Sequence, residues 1–328
     1  MMIFDARWDG GHGIGRFSKE LRRRLPGFSD ATLAGRPSNP LDPLRLYRYL
    51  KSILPSLYFS PGYNPPLGHP CPFVFCVHDL NHLYVRENSS PLKRAYYNHI
   101  VRPAIHRADV VITGSESAKS QICDWSRAKV NSVIAVGYGV SDVFTIEGPR
   151  HSEANRPYFL CVGNNKPHKN LLRVIQAFAS TFLNTELLLM LTGGPSSQLQ
   201  AEIDRRGAGK QVVFAGSVSD EQLAKLYRGA TGVVFVSLYE GFGLPIIESM
   251  SCGTPVLTST IPSTSEAAGE AAVLVDPYDV DDIANGMRRL AEDAELRALM
   301  RERGLQRSRL FTWDKTSAKV REALATCV

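Results

Sequence analysis

Apolar runs alternate with amphipathic stretches throughout the second half of the chain. β-rich runs fall at 157–162 (PYFLCV), 186–191 (ELLLML), 211–216 (QVVFAG), 232–237 (GVVFVS), 254–259 (TPVLTS) and 271–276 (AAVLVD). Between them, segments such as NLLRVIQAFAST and DEQLAKLYRGA space their apolar residues at helical intervals. Continuous apolar strands alternating with such helices predict an α/β fold with a doubly wound parallel sheet. The first half repeats the pattern less cleanly, with strands expected at 1–5, 56–60, 73–77, 109–114 and 131–136. The Pro-rich stretch 60–72 reads as loop. The pattern predicts two Rossmann-like halves, 1–150 and 151–310, with the polar segment 145–157 as their linker. Trp313, Val320 and Leu324 recur at helical spacing within 311–328, which predicts a terminal helix.

Composition supports this division. A chain of 328 residues exceeds what one core usually supports. Its 44% hydrophobic and 21% charged content is ordinary for a globular protein. No apolar run approaches the ~18 residues of a membrane-spanning helix. The opening MMIFDARWDGG reads as a first strand, not as a signal peptide. The 6 cysteines form no C-x-x-C pair or zinc spacing, so free thiols in a reducing cytosolic compartment, without structural metal, are expected. Charge is uneven. Residues 1–150 hold 19 basic against 12 acidic residues, and residues 151–328 hold 19 against 20. A basic half can attract nucleic acid, an anionic bilayer or a phosphorylated substrate. Its aromatic residues do not interleave with the basic clusters, which argues against nucleic acid.

Four segments carry candidate chemistry. In EGFGLPIIE (240–248) a buried strand gives way to a helix, with Pro245 in its first turn and Gly253 as its stop. Unpaired first-turn N–H groups and the helix dipole attract phosphate there, and Gly241 and Gly243 let a ligand approach the backbone. Glu240 and Glu248 suit ligand hydroxyls instead; the competing reading is a plain glycine-rich turn. The second segment, CVGNNKPHKNL (161–171), brings Lys169 to a helix start where it could meet a phosphate, although no Walker pattern is present. The third, WDGGHGIGRF (8–17), holds Gly11, Gly13 and Gly15 but lacks the full dinucleotide fingerprint, so it reads as a weak phosphate-facing loop. Its helix carries Phe17, Leu21 and Leu25 on one stripe beside Arg22, Arg23 and Arg24; this fits core packing or a membrane surface. The fourth, FVFCVHDLNHLY (73–84), ends a strand in His78-Asp79, where α/β sheets place ligands. His82 follows, without a third ligand that would make a metal site.

Together these segments resemble the retaining glycosyltransferases of family 4, which have the GT-B fold. The most specific element is E-x7-E, Glu240 to Glu248; GNNKPHKN, FAGSVSDEQLAKLY, MSCGTPV and AAGEAAVLVDP follow the family order. The resemblance implies two Rossmann-like domains facing across a cleft: an acceptor-binding domain, a nucleotide-sugar-binding domain, and a terminal helix returning to the first. Carried over by position, Glu248 holds the donor ribose and Glu240 the donor sugar. Backbone N–H groups of Phe242, Gly243 and Leu244 touch sugar or diphosphate. Lys169 pairs with the diphosphate, and Gly13 and Gly15 face it from the other domain. His78 orients the sugar and stabilises charge at its anomeric carbon. Two positions depart from the pattern. Asn164 stands where the family often has an arginine, leaving more phosphate charge to Lys169 or Arg16, and Ser265 replaces a frequent proline before Glu266.

The expected catalytic set is therefore Glu240, His78 and Lys169, and the donor-binding set adds Asn164. No metal is expected, because no Asp-x-Asp motif offers ligands; DVDD (279–282) reads as a helix start. The opening resembles bacterial mannosyl- and rhamnosyltransferases of O-antigen assembly. That implies a GDP-sugar donor, GDP-mannose first and UDP-sugars second, and a glycan or lipid-linked acceptor. The basic first half implies cytoplasmic work at the inner face of a membrane. The alternatives are a sugar-nucleotide epimerase, which would turn over donor alone, and a non-catalytic binding module.

Overall fold

The computed structural model describes residues 1–10, 13–153 and 156–327. The chain divides into two compact units, Met1–Gly139 with Thr312–Val328, and Val140–Phe311. Each has its own hydrophobic core. The first unit holds β1 (Met2–Phe4), β2 (Phe28–Asp30), β3 (Leu57–Ser60), β4 (Phe73–Cys76), β5 (Val110–Thr113) and β6 (Val133–Ala135), in the order β2-β1-β3-β4-β5-β6. The second holds β7 (Tyr158–Cys161), β8 (Leu188–Thr192), β9 (Val212–Gly216), β10 (Gly232–Phe235), β11 (Val256–Ser259) and β12 (Val273–Val275), in the order β12-β11-β10-β7-β8-β9. Every strand pairing is parallel.

All eleven expected strands lie within or overlap these twelve; β2 is the addition. The interior strands β3, β4, β5, β7, β8, β10 and β11 are buried along their whole length, which explains their unbroken apolar runs. β2, FSD, lies at a sheet edge with Ser29 and Asp30 exposed, so it offers no apolar run to read.

Both sheets reverse direction beside their first strand. The chain leaves β1 for β2 on one side and then returns to β3 on the other; it builds β8 and β9 on one side of β7 and β10 on the other. The crevices between β1 and β3, and between β7 and β10, are topological switch points. In such sheets ligands bind outside the carboxyl ends of the strands at these places.

The unit boundary falls at Gly139, so the expected division at 150 lies inside the second unit. The reason is hydrogen bonding. Arg228 donates from Nε to Pro149 O (2.9 Å) and from Nη1 to Thr145 O (3.1 Å), and His151 N donates to Lys225 O (3.0 Å). This ties the polar stretch to the second unit; Ala154 and Asn155 lie outside the described residues. Helix Trp313–Ala325 belongs to the first unit. Thr312 caps it by accepting from Lys315 N (3.2 Å). Trp313 stacks on Tyr138 (6.4 Å, 27°) and packs against Phe17 (6.2 Å). A Cβ at Gly139 would collide with the Trp313 backbone, so glycine there permits the close approach.

A buried ion network spans the switch point of the first unit. Arg7, 9% exposed in its side chain, bridges Asp5 (2.7 Å) and Asp42 (2.8 Å), both fully buried. Tyr58 donates to Asp5 (2.7 Å), Asn64 donates to Asp42, and Tyr96 donates to Asn64 Oδ1 (3.1 Å). Burial opposes the Arg7 charge, but the hydrogen bonds it donates to Asp5 and Asp42 outweigh it and raise its pKa above the usual arginine value. Burial and then Asp5 raise the Tyr58 phenol, which keeps it a donor.

The arginines after Phe17 are less available than their sequence suggests. Arg22 pairs with Asp9 (3.3 Å) and Asp30, and Arg24 with Glu20 (2.5 Å) and Asp314 (2.8 Å). Phe17, Leu21 and Leu25 are buried, so that stripe is core. All six cysteines are free thiols. Burial pushes Cys71 up to about 11 and Cys252 up to about 12. Among the described residues no helix is long and apolar enough to cross a membrane.

Candidate active site

The second unit gathers its candidate residues at the β7/β10 switch point. The loop after β7 ends in a 3-10 turn, Pro167–Lys169, and Asn170 (φ 62°) turns the chain into helix Leu171–Phe182. The loop after β10 leads to Gly243 (φ 110°), which opens helix Leu244–Ser251. A side chain at Gly243 would be strained in this left-handed conformation and its Cβ would press on Ile246 Cδ1 at 3.0 Å. Pro245 sits in the first turn, as its spacing predicts.

Lys169 crosses from one loop to the other. Its Nζ donates to Glu240 Oε1 at 2.6 Å and lies 5.1 Å from the centre of the Phe235 ring. Both charged side chains are mostly buried, 16% and 14% exposed. The lysine stem runs past Gly163, where a Cβ would touch it at 3.4 Å. The cation is thereby held at the loop that leads into helix Leu244–Ser251, where a diphosphate can compete with the carboxylate for it.

Glu248 is 3% exposed on helix Leu244–Ser251. Tyr227, fully buried on helix Asp220–Gly229, donates its hydroxyl to Glu248 Oε2 at 3.0 Å. Phe242 is buried and packs edge-on against Phe311 (5.6 Å). Asn164 is exposed; its Oδ1 accepts from Lys166 N (3.2 Å), closing the loop rather than supplying charge.

Asn170 is a residue the sequence reading quoted but gave no role. It is 3% exposed and donates to Val236 O (3.0 Å) and Pro277 O (2.7 Å), while its Oδ1 accepts from Arg173 (3.0 Å). It splices the lysine loop to the chain leaving β10. His168 O likewise accepts from Leu238 N (2.7 Å). An asparagine just before a long apolar helix was the available signal, since Asn tolerates the left-handed region.

Gly13, Gly15 and His78 belong to the first unit. Gly13 begins helix Gly13–Arg24, and a Cβ on Gly15 would collide with the Gly10 backbone. Gly11 lies outside the described residues. His78, just past β4, packs against Phe17 of that helix (5.1 Å). Its Nε2 donates to Pro61 O (2.7 Å), and its Nδ1 shares a hydrogen bond with the Tyr138 hydroxyl. The ring is thereby held in orientation through both nitrogens. His82 packs with Tyr63 and Tyr97, and its Nδ1 hydrogen-bonds Asn88 O (3.2 Å). Among the described residues no three His, Cys, Asp or Glu side chains group as a metal site.

Comparison with known proteins agrees with this architecture. Residues 144–307 match the model for glycosyl transferases group 1, and residues 4–138 match Glycosyltransferase Family 4. The chain is 27% identical over 259 residues to O-antigen chain mannosyltransferase B of Escherichia coli, covering 75% of this chain and 68% of that protein. It is 27% identical over 268 residues to the serotype-specific mannosyltransferase WbdA of Escherichia coli, of which it spans 32% while 76% of this chain is covered. Among solved structures, WaaG, a glycosyltransferase involved in lipopolysaccharide biosynthesis, superposes with a TM-score of 0.76 at 15% identity, over 98% of both chains. HepE of Anabaena, in complex with UDP and glucose, gives 0.75 at 15% identity over 99% of both chains. With two parallel six-stranded sheets and both halves matched, the chain belongs to the family 4, group 1 glycosyltransferases of GT-B fold.

Proposed function

We propose that the chain transfers a mannose-like hexose from a GDP-sugar to a hydroxyl of a glycan or lipid-linked acceptor, retaining the anomeric configuration. The observation that carries this reading is the Lys169–Glu240 pair at the β7/β10 switch point, beside the start of helix Leu244–Ser251. In the reaction the bond from the anomeric carbon to the diphosphate oxygen breaks, and its electron pair leaves with the diphosphate. The acceptor oxygen bonds to the anomeric carbon, and its proton passes to the departing diphosphate oxygen. Lys169 and the N–H groups of Phe242, Gly243 and Leu244 stabilise the negative charge that develops. Glu240 holds hydroxyls of the donor sugar, and Glu248 those of the ribose. The imidazole of His78, held through both ring nitrogens, orients the sugar.

Mannose is favoured as the donor sugar because the relatives above are mannosyltransferases. The UDP in the HepE structure makes UDP-sugars the second class to test. A panel of nucleotide-sugars scored by melting shift tests the donor. GDP-mannose should stabilise most, by about 2.7 kcal/mol at a hundredfold excess over Kd. A panel with no stabilising nucleotide-sugar would overturn the reading. Because Lys169 and backbone amides supply the positive charge, turnover should be unchanged in EDTA; strong inhibition would require a metal.

We further place the enzyme at an anionic membrane surface, on the excess charge of residues 1–150. Arg23, Arg48, Lys51 and Lys93 carry this docking now that Arg22 and Arg24 are ion-paired. The protein should pellet with phosphatidylglycerol liposomes at low salt and release at high salt. Equal recovery with neutral liposomes would remove the electrostatic docking.

A further inference from the structure

A concavity of about 890 Å³ lies within the second unit, at the edge of its sheet away from the Lys169–Glu240 pair. Pro157, Leu187, Thr231 and Pro255 line it, and each is the residue just before a strand: β7, β8, β10 and β11 in turn. The cavity therefore sits under the amino ends of four neighbouring strands. The loops that carry Lys169 and Glu240 leave the carboxyl ends of β7 and β10, the length of a 4-residue strand away, or about 13 Å.

Four arginines enter this cavity from three places in the chain. Arg150 belongs to the segment before β7, Arg228 to helix Asp220–Gly229, and Arg297 and Arg301 to helix Ala294–Ser308. Helices of a parallel sheet end at this edge, and their last carbonyls favour cations. Such carbonyls use only part of the cluster. Arg297 Nη1 donates to Leu290 O (2.9 Å) and Ala291 O (2.8 Å), near the end of helix Val280–Glu292. Arg228 spends Nε and Nη1 on Pro149 O and Thr145 O. Among the described residues, Nη2 of both groups has no partner, and Arg150 and Arg301 make neither a hydrogen bond nor an ion pair.

The carboxylates nearby do not neutralise them. Glu186 and Glu292 line the cavity, but Glu186 pairs with Arg156 (3.3 Å) and Glu292 with none of the four arginines. Arg297 and Arg301 stand four residues apart on one helix face, where like charges repel. The Arg301 guanidinium is also packed in place: a Cβ on Gly253 would stand 3.5 Å from its Cζ. Converging cations with unspent donors raise the energy of the empty cavity, and an anion between them removes that cost.

The donor arrangement selects the anion. A carboxylate is planar, and one guanidinium fork occupies both of its oxygens. A phosphate monoester presents three oxygens in different directions and carries nearly two charges at neutral pH. It can accept from forks that arrive from separate elements. Phe182, Leu187 and Pro255 give the rest of the wall an apolar character suited to the organic part of an ester. The volume falls in the range of ~300–1,000 Å³ typical of small-molecule sites. We propose that this cavity is a second ligand site of the protein, one that binds a phosphate monoester. The same group can arrive on a soluble sugar or polyol phosphate or on a phosphatidic acid headgroup. The site is independent of the transfer reaction and of the donor assigned to it.

Isothermal titration calorimetry of the full-length protein tests this. Glycerol 3-phosphate, ribose 5-phosphate and glucose 6-phosphate are the soluble probes, dihexanoyl phosphatidic acid is the lipid probe, and inorganic phosphate is the ion control. At least one ester should bind, and more tightly than inorganic phosphate. Its affinity should fall at least about tenfold in the double variant Arg150→Gln, Arg301→Gln, as loss of charged hydrogen bonds predicts. Both arginines are exposed and unpaired, so this variant should keep the parent Tm. Ala298→Trp fills the cavity from an exposed position without altering charge, and should weaken binding as much. Lys169→Ala should leave the affinity within about twofold, because the two sites share no residue. Binding by a soluble ester, by phosphatidic acid or by both upholds the site and identifies the source of the phosphate. Binding lost in Lys169→Ala but kept in the double variant would place the phosphate at the switch point and overturn the proposal. Affinity unchanged in Ala298→Trp, binding of inorganic phosphate alone as an adventitious ion only, or no binding by any probe would each overturn it too.

Discussion

Glu240→Ala should lower kcat/KM by about two to three orders of magnitude, the usual loss when one preorganised polar contact to the reacting group is removed. The substitution acts twice. It deletes a carboxylate proposed to hold donor hydroxyls, and it releases Lys169, whose ammonium lies 2.6 Å from Glu240 Oε1. A lysine without this restraint samples more rotamers and meets the diphosphate less often in a productive geometry. Glu248, 21 residues from its buried partner Tyr227, is untouched, so stabilisation by GDP should survive. Glu240→Gln separates the two effects, since the amide still accepts from a sugar hydroxyl but no longer neutralises Lys169. Steady-state kinetics at saturating acceptor, with GDP-induced melting shifts as the binding control, provide the measurement. Near-normal turnover in Glu240→Ala would sink the site assignment. Loss of GDP stabilisation along with turnover would mean instead that the loop had collapsed.

Arg7→Met should destabilise the first unit by about 3–5 kcal/mol, because it leaves two buried carboxylates without their common cation. For a unit of this size that is a fall in Tm on the order of 10 °C. Few single substitutions reach this range, and stranding buried charge is one of the recognised routes. Asp5 and Asp42 show no exposure, so water cannot replace the guanidinium. Calorimetry should show the first unit's transition move while the second unit's stays, the two having separate cores. A combined Asp5→Leu, Arg7→Met, Asp42→Leu variant should recover part of the loss, since the penalty lies in unpaired charge rather than in lost packing. An unchanged Tm in Arg7→Met would show that the network contributes nothing net.

The two cases also mark how far the sequence was legible. Interior strands such as β4 and β10 declare themselves, because burial on both faces forces an unbroken apolar run. The strand-to-helix turn that carries Glu240, Gly243 and Glu248 was legible from its glycines and from Pro245 in the first turn. Their contacts were not. Lys169 and Glu240 stand 71 residues apart, and Arg7 and Asp42 35 apart, and no local rule links such pairs. β2 escaped because an exposed three-residue edge strand needs no hydrophobic pattern. The π-helical turn Tyr97–Val101 escaped because YNHIV fits an ordinary helix equally well. The boundary at Gly139 escaped because a polar, Pro- and Gly-containing stretch resembles a linker until Arg228 claims its carbonyls.

The helix Trp313–Ala325 also sets an order of events during synthesis. The first unit is discontinuous: its sheet is complete by residue 135, but the helix that closes over Tyr138 and Phe17 follows the entire second unit. At about 5–20 residues per second, the 172 residues between Gly139 and Thr312 emerge over roughly 10–30 seconds. Most of the contiguous second unit is therefore made, and can begin to fold, while the first still exposes an aromatic face. During that interval the Phe17–Tyr138 surface lacks the helix that covers it. A chain truncated before Trp313 and released would carry a complete second unit and an open first one.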